Sequence, residues 1–155
     1  MTVSELIIRR AHESDLPALI EIFAADVIGG HGDTSDPSAF EDYLRAFHAI
    51  DASATEQLFV AETVEGIVGT FQINFNRVLT GRGGLSMIIE AVHTRPDMRS
   101  RGIGAAMVAY ALEEARRRNC RQVQLTSNLA RSDAHRFYER LGFAKSHAGF
   151  KMKLN

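Results

Sequence analysis

One stretch of the sequence constrains the fold more than any other. An apolar strand pattern at 85–94 runs into a basic, glycine-containing loop, and Pro96 and Asp97 mark a turn between them. From 104 to 118, apolar residues recur at three- and four-residue spacing, which predicts a helix. A short strand pattern follows at 122–126. Strand, helix and strand in this order predict a crossover between two parallel strands.

The rest of the chain predicts a single domain over residues 1–155, with further strands and helices. Strands are expected at 6–9, 57–63 and 66–78, a last strand or short hairpin at 143–154, and helices that begin near Ser14, near Asp36 and at Ser132. The predicted order is β-α-α-β-β-β-α-β-α-β. Hairpins in the middle and a crossover later predict an α/β fold, with a mixed, mostly antiparallel sheet between helices on both faces.

Composition narrows the class of protein. A chain of 155 residues can bury roughly 70% of its unfolded surface without disulfides or metals. There is no apolar run long enough to span a membrane, and the start of the sequence lacks the apolar core of a signal peptide. The single cysteine, Cys120, favours a reducing cytoplasm.

The charge is unevenly distributed. The net charge of −1 argues against a general nucleic-acid binder, yet residues 1–66 carry a net −10 and residues 67–155 a net +9. This split is compatible with two differently charged ligand surfaces and equally with two solvated faces.

The loop before the long helix has the composition of an anion site. It runs Arg99-Ser100-Arg101-Gly102-Ile103-Gly104. Backbone N–H groups at a helix start, together with the helix dipole, attract phosphate, and residues without a Cβ allow close approach. A plain turn at the start of a helix would have the same glycines.

Two blocks of sequence resemble the GNAT family of N-acetyltransferases. The segment 99–104 resembles the family signature Arg/Gln-x-x-Gly-x-Gly/Ala, and Asn128 with the block 134–143 resembles its Asn…Ala-x-x-x-Tyr-x-x-x-Gly-Phe block. The C-terminal part is also similar to aminoalkylphosphonate N-acetyltransferases. Arg131 departs from the family, in which many members have a second Asn at that position.

The resemblance implies the GNAT fold and acetyl-coenzyme A as co-substrate. The strand end would hydrogen-bond the pantetheine arm through its backbone, with the Val92 N–H facing the thioester oxygen, while the loop would bind the pyrophosphate. The implied coenzyme-binding residues are Val92, Thr94, Arg99, Arg101, Gly102, Gly104, Ala105 and Asn128. Arg101 could equally be solvated, and Asn128 could form a turn.

Two residues are candidates for the proton transfers that acetyl transfer needs. Tyr138, which the resemblance places near the thioester sulfur, could protonate the leaving thiolate. Glu90 lies in a strand that we expect to be largely buried, and it could accept the proton of the amine or bind the ammonium group. The alternatives are a packed aromatic residue and a solvent-facing strand carboxylate.

The prediction is a cytoplasmic enzyme that transfers the acetyl group directly to a small-molecule primary amine. A protein or peptide N-acetyltransferase and a non-catalytic acyl-coenzyme A-binding regulator remain alternatives. We expect no nucleic-acid or membrane partner and no metal site, because His93 and His135 have no partner at ligand spacing. A homodimer is compatible with the family, and a role of His31 in acceptor binding is left open.

Overall fold

The computed structural model describes residues 5–155, which divide into two compact units after Leu125. The larger unit contains the strands β1 (Ile7–Arg10), β2 (Glu56–Thr63), β3 (Gly66–Arg77), β4 (Leu85–Thr94) and β5 (Gln122–Gln124). It also contains the helices α1 (Leu16–Ala24), α2 (Phe40–Asp51) and α3 (Ile103–Arg117). The smaller unit begins at Thr126 and contains α4 (Ser132–Arg140).

The strands of the larger unit form one mixed sheet in the order β1-β2-β3-β4-β5. The pairs β1–β2, β2–β3 and β3–β4 are antiparallel, whereas β4 and β5 are parallel. Helix α3 connects these two parallel strands, as the strand-helix-strand pattern predicts. The predicted fold class is therefore confirmed.

Helices cover both faces of the sheet. On one face, Phe59 stacks on Phe71 with 5.1 Å between the ring centroids, and Tyr110 of α3 packs against Phe59 at 5.2 Å. Val60, the next residue of β2, belongs to the core that α1 and α2 build around Leu19. Because adjacent residues of a strand point to opposite faces, α3 covers one face and α1 and α2 cover the other.

An ion pair joins the start of α1 to the sheet. Arg9 donates two hydrogen bonds to the Asp15 carboxylate, at 2.8 and 3.0 Å, and one to Glu62 of β2, at 3.0 Å. The backbone N–H of His12 also donates to Asp15, at 2.7 Å. Burial by itself raises the pKa of Asp15, but the hydrogen bonds from Arg9 and His12 outweigh it and hold the pKa below its ordinary value.

We expect Asp15→Asn to lower the free energy of unfolding by about 2 kcal/mol at pH 7, because the partly buried Arg9 loses its charged partner. The lowered pKa means that this stabilisation is present above about pH 4 and is lost as the pH falls through the pKa of the folded state. Urea unfolding at pH 7 and pH 3 should show a smaller difference between the two proteins at pH 3. Asp42→Asn, in the exposed pair with Arg45, is the control, and an equal difference at both pH values would contradict the assignment.

The predicted strand or short hairpin at 143–154 is wrong. These residues have no regular secondary structure. Alternating apolar residues produced the prediction, but Phe150, Met152 and Leu154 are 96%, 84% and 89% exposed. A strand needs a neighbouring backbone to pair with and an apolar surface to cover one of its faces, and the smaller unit contains no other strand among the residues described.

Candidate functional site

A bulge interrupts β4 beside the predicted base. Across the β3–β4 pair, Gln72 lies opposite Glu90 and Thr70 lies opposite His93, so β4 contains one residue more than β3 over this stretch. Ala91, inside the bulge, has a φ of 50°, in the left-handed region that residues with a Cβ rarely adopt. Because Thr70 and Gln72 share a face of β3, Glu90 and His93 also share a face, although they are three residues apart.

That face is the one covered by α1. Thr70 pairs with Val60, whose side chain packs in the core of α1 and α2, and the ring of His93 lies 5.3 Å from that of Phe23 in α1. Glu90, however, is exposed, so the prediction that its strand position is buried is wrong. An unpaired carboxylate is costly to remove from water, and Glu90 forms no ion pair with any residue in 5–155.

Strand β4 extends past its parallel neighbour. The last pair between the two strands joins Ile88 to Gln124, where β5 ends. Val92 and Thr94, which were predicted to act through their backbones, lie beyond this point, and their side chains are partly buried. The edge of a strand that continues beyond its neighbour can hydrogen-bond an extended ligand in the way an added strand would.

One arginine holds the loop after β4 in place, and two others point into solvent. Arg95 donates to both carboxylate oxygens of Asp97, at 2.6 and 3.1 Å, and to the carbonyl oxygen of Glu65 at 3.1 Å. Arg99 and Arg101 are exposed and form no ion pair with any described residue. Their positive charge is therefore available to a ligand.

Two residues in the left-handed region shape the turn into α3. Ser100 has a φ of 63° and Gly102 a φ of 83°. The N–H of Ala106 donates to the carbonyl oxygen of Gly102 at 3.0 Å. The N–H groups before it, including those of Gly104 and Ala105, have no acceptor within the helix. These donors and the helix dipole, beside the two exposed arginines, give the loop the chemistry of an anion site.

In the smaller unit, Tyr138 lies within an aromatic cluster. Its ring packs edge-to-face with Phe137 and Phe143, at 5.1 and 5.9 Å between centroids. Burial raises the pKa of Tyr138 above its ordinary value, and the positive charge of Arg131 opposes that rise only in part. The phenol therefore keeps its proton at neutral pH and is able to donate it.

Asn128 forms a turn before α4. Its side-chain oxygen accepts the N–H of Ala130 at 2.8 Å, and its backbone carbonyl accepts the N–H of Arg131 at 2.9 Å. This is the turn role that the sequence left open. A contact between Asn128 and the coenzyme stays a prediction.

A cleft of about 270 Å³ lies in the larger unit between α1, the α1–α2 connection and α2. Its walls include the apolar parts of Ile20, Phe40 and Tyr43, and the carboxylates of Glu21 and Asp36. Apolar walls with a few polar groups are typical of small-molecule sites, and here the charges are negative. The arrangement suits a ligand with an apolar body and a cationic group.

Sequence reasoning missed several features of the site. Nothing in the sequence marks Ala91 or Ser100 as left-handed, since most such residues are glycine.

Within residues 5–155, no three His, Cys, Asp or Glu side chains are arranged to hold a metal ion. In the same residues, none of the helices combines the length and the apolarity that crossing a bilayer requires.

The chain is similar to curated and solved acetyltransferases. An aminoalkylphosphonate N-acetyltransferase of Salmonella typhimurium is 36% identical over 88 residues, which are 57% of this chain and 56% of that enzyme, so the chain spans little more than half the length of this relative. An uncharacterized N-acetyltransferase of Bacillus subtilis is 41% identical over 107 residues, 66% of this chain and 72% of the relative.

Solved structures have the same fold as this chain over nearly its whole length. A transcriptional regulator from Bacillus halodurans has a TM-score of 0.92 and 40% identity, with 96% of this chain and 99% of that chain covered. A putative acetyltransferase from Agrobacterium tumefaciens has a TM-score of 0.79 and 29% identity, with 95% and 99% covered. The model of the acetyltransferase (GNAT) family matches residues 16–143, which include both predicted signature blocks. The chain therefore belongs to the acetyltransferase (GNAT) family, as its sequence predicted.

Proposed function

We propose that this chain is an enzyme that transfers the acetyl group of acetyl-coenzyme A directly to a primary amine of a small molecule. The observation that carries the proposal is the β4 segment, which extends beyond β5, bulges at Ala91 and leads into a left-handed glycine turn at the start of α3. Membership of an acetyltransferase family supports the same activity and the same co-substrate. We further propose a single functional domain over residues 1–155 and a cytoplasmic location.

The coenzyme fits the hydrogen-bond donors of β4 and of the loop before α3. We assign the pantetheine arm to the backbone of Val92 and Thr94, and the pyrophosphate to Arg99, Arg101 and the turn at 102–105. An extended amide chain matches an unpaired strand edge, and a doubly charged pyrophosphate matches a helix start beside two unpaired arginines. Asn128 is assigned to the coenzyme from the resemblance alone.

The chemical step needs one proton acceptor and one proton donor. The amine nitrogen attacks the acetyl carbon, the carbon–sulfur bond breaks, and the acetyl group remains on nitrogen. We propose that Glu90 takes the proton from the amine, directly or through water, and that Tyr138 gives a proton to the leaving thiolate. The exposed Glu90 has direct access to solvent, and the raised pKa of Tyr138 keeps its donor proton in place.

The acceptor side favours a small cationic amine. The cleft beside Glu21 and Asp36 has room for a small molecule and carries negative charge. The Salmonella relative is named for aminoalkylphosphonates, which bear an amine and an anionic group. An aminophosphonate would need a base in the acceptor half, and Arg45, the only arginine or lysine between 11 and 66, is paired with Asp42. We therefore rank simple amines and polyamines ahead of aminophosphonates.

Two measurements test the proposal. Calorimetry with acetyl-coenzyme A should show binding, and its absence at millimolar coenzyme would contradict the assignment. A thiol-release screen over polyamines, amino acids, aminophosphonates, amino sugars and peptides should then show turnover with one of the small amines. Turnover with peptides alone would indicate a protein N-acetyltransferase instead.

A coenzyme-binding regulator is the second candidate. The observation that favours it is the Bacillus halodurans structure, which is described as a transcriptional regulator and is 40% identical to this chain. A regulator would bind acetyl-coenzyme A but release no thiol with any amine in the screen. Turnover with a small amine would exclude a purely non-catalytic role.

Glu90→Gln should lower kcat about 100-fold near neutral pH, the usual range for a lost general base. If Glu90 accepts the proton, the acidic limb of kcat against pH should differ between the wild-type enzyme and the variant, which has no carboxylate at this position. The measurement is kcat against pH, with Glu56→Gln on β2 as control. An acidic limb that is the same in Glu90→Gln and in the wild type would remove Glu90 as the base.

A further inference from the structure

Two ionisable side chains meet where the α1–α2 connection reaches β4, and the roles above use neither of them. Asp26 follows α1, and its Oδ2 lies 3.9 Å from Nδ1 of His93 in β4. The two side chains are only 9% and 19% exposed, and the imidazole also packs edge-to-face against Phe23. A carboxylate and an imidazole therefore face each other in a contact that is largely closed to water.

The same carboxylate shapes the start of the connection. Oδ1 of Asp26 accepts the N–H groups of Ile28 and Gly29, both at 3.3 Å, while Oδ2 is the oxygen that faces β4. At the other end of the connection, the hydroxyl of Tyr43 in α2 donates to Asp33 at 2.7 Å. Each end of the connection is thus held by one carboxylate, the first against β4 and the second against α2.

Between these two anchors the connection has few contacts of its own. It contains Gly29-Gly30-His31-Gly32, in which Gly30 and Gly32 have φ values of 63° and 79°. Val27 is 89% exposed and Ile28 51%. A segment that buries little apolar surface is held in position mainly by the contacts at its two ends.

The β4 end of this arrangement lies beside the proposed chemistry. The bulge brings His93 to the same face of the sheet as Glu90, the proposed base. The connection also contributes Thr34, Ser35 and Asp36 to the acidic cleft. A contact that holds the connection against His93 therefore joins the connection, which lines the cleft, to the strand that contains the proposed base.

We propose that the Asp26–His93 pair positions the α1–α2 connection, residues 25–36, against the bulge of β4 and thereby shapes the acceptor side of the site. The inference rests on the proposed acetyltransferase function. Both are positioning residues, since neither transfers a proton in the reaction. Loss of either partner weakens binding of the amine and leaves coenzyme binding and the chemical step unchanged.

Hydrogen–deuterium exchange tests the positioning without any need for turnover. In His93→Gln, amides 27–32 should exchange about tenfold faster than in the wild type, because the connection loses its anchor on β4. His93→Arg places a cation opposite Asp26 and should restore slow exchange. His48→Gln, at an exposed pair with Glu13, is the matched control, and thermal unfolding checks that all variants are folded. Unchanged exchange in His93→Gln would overturn the proposal.

Steady-state kinetics with the best amine from the screen test the acceptor role. His93→Gln should raise KM for the amine about tenfold, with kcat and the Kd of acetyl-coenzyme A within about twofold of the wild type, and His93→Arg should restore KM. Faster exchange with an unchanged KM would overturn the acceptor role of the pair. A wild-type chain without turnover would contradict the proposed function, while the exchange result would still decide whether the pair holds the connection.

Discussion

Tyr138→Phe is expected to lower kcat about 100-fold, because the variant has no proton to give to the leaving thiolate. The ring contacts with Phe137 and Phe143 survive the change, so the fold of the smaller unit should be preserved. The Kd of acetyl-coenzyme A should stay within about twofold of the wild type, since only the hydroxyl is removed. Thiol release at saturating coenzyme measures kcat, and calorimetry measures the Kd of acetyl-coenzyme A.

The raised pKa of Tyr138 adds a pH criterion. Burial disfavours the phenolate, so Tyr138 remains a donor up to and beyond its ordinary pKa near 10, and it should contribute no alkaline limb to kcat below about pH 10. Tyr110→Phe is the matched control, because Tyr110 packs against Phe59 and Phe71 in the other unit. The loss of its hydroxyl should leave kcat unchanged. A kcat of Tyr138→Phe equal to that of the wild type would exclude Tyr138 as the acid.

The elements that sequence patterns predict well are those that bury one face. The strands β2, β3 and β4 and the helix α3 begin and end within two residues of the predictions, because each carries a regular apolar pattern that the core of the larger unit uses. The segment 143–154 has a similar alternation, but the pattern specifies only a preference for pairing. Without a strand to pair with in its unit, that preference produces no strand.

The site was predictable in its loop but not in its bulge. Gly102 and Gly104 are visible in the sequence because close approach and left-handed backbone favour glycine. The bulge depends on an alanine in the left-handed region and on a register shift between β3 and β4. Neither feature can be recognised from a single sequence, so the sequence could not predict that Glu90 and His93 share a face.

The uneven charge of the two halves has a mixed structural origin. Part of the basic excess after residue 66 is neutralised locally, since Arg95 pairs with Asp97 and Arg116 with Glu113. The positive charge that remains unpaired in the loop before α3 comes from Arg99 and Arg101. The sequence-wide count is therefore a weaker guide to a coenzyme site than the placement of these two side chains.

Gly102→Ala should raise the Kd of acetyl-coenzyme A about tenfold or more. At a φ of 83°, a Cβ costs roughly 1–2 kcal/mol of backbone strain. The chain can relieve that strain by rotating the turn, which moves the N–H donors of Gly104 and Ala105 away from the pyrophosphate position. Calorimetry with acetyl-coenzyme A measures the change.

The control for this prediction carries the same strain at a different place. Gly66 lies in the turn between β2 and β3 with a φ of 95°, and no atom lies within 4 Å of an added Cβ. Gly66→Ala should therefore lower the stability of the fold about as much as Gly102→Ala, yet leave the Kd of the coenzyme unchanged. If the two variants bound acetyl-coenzyme A equally well, the left-handed turn before α3 would have no part in holding the coenzyme.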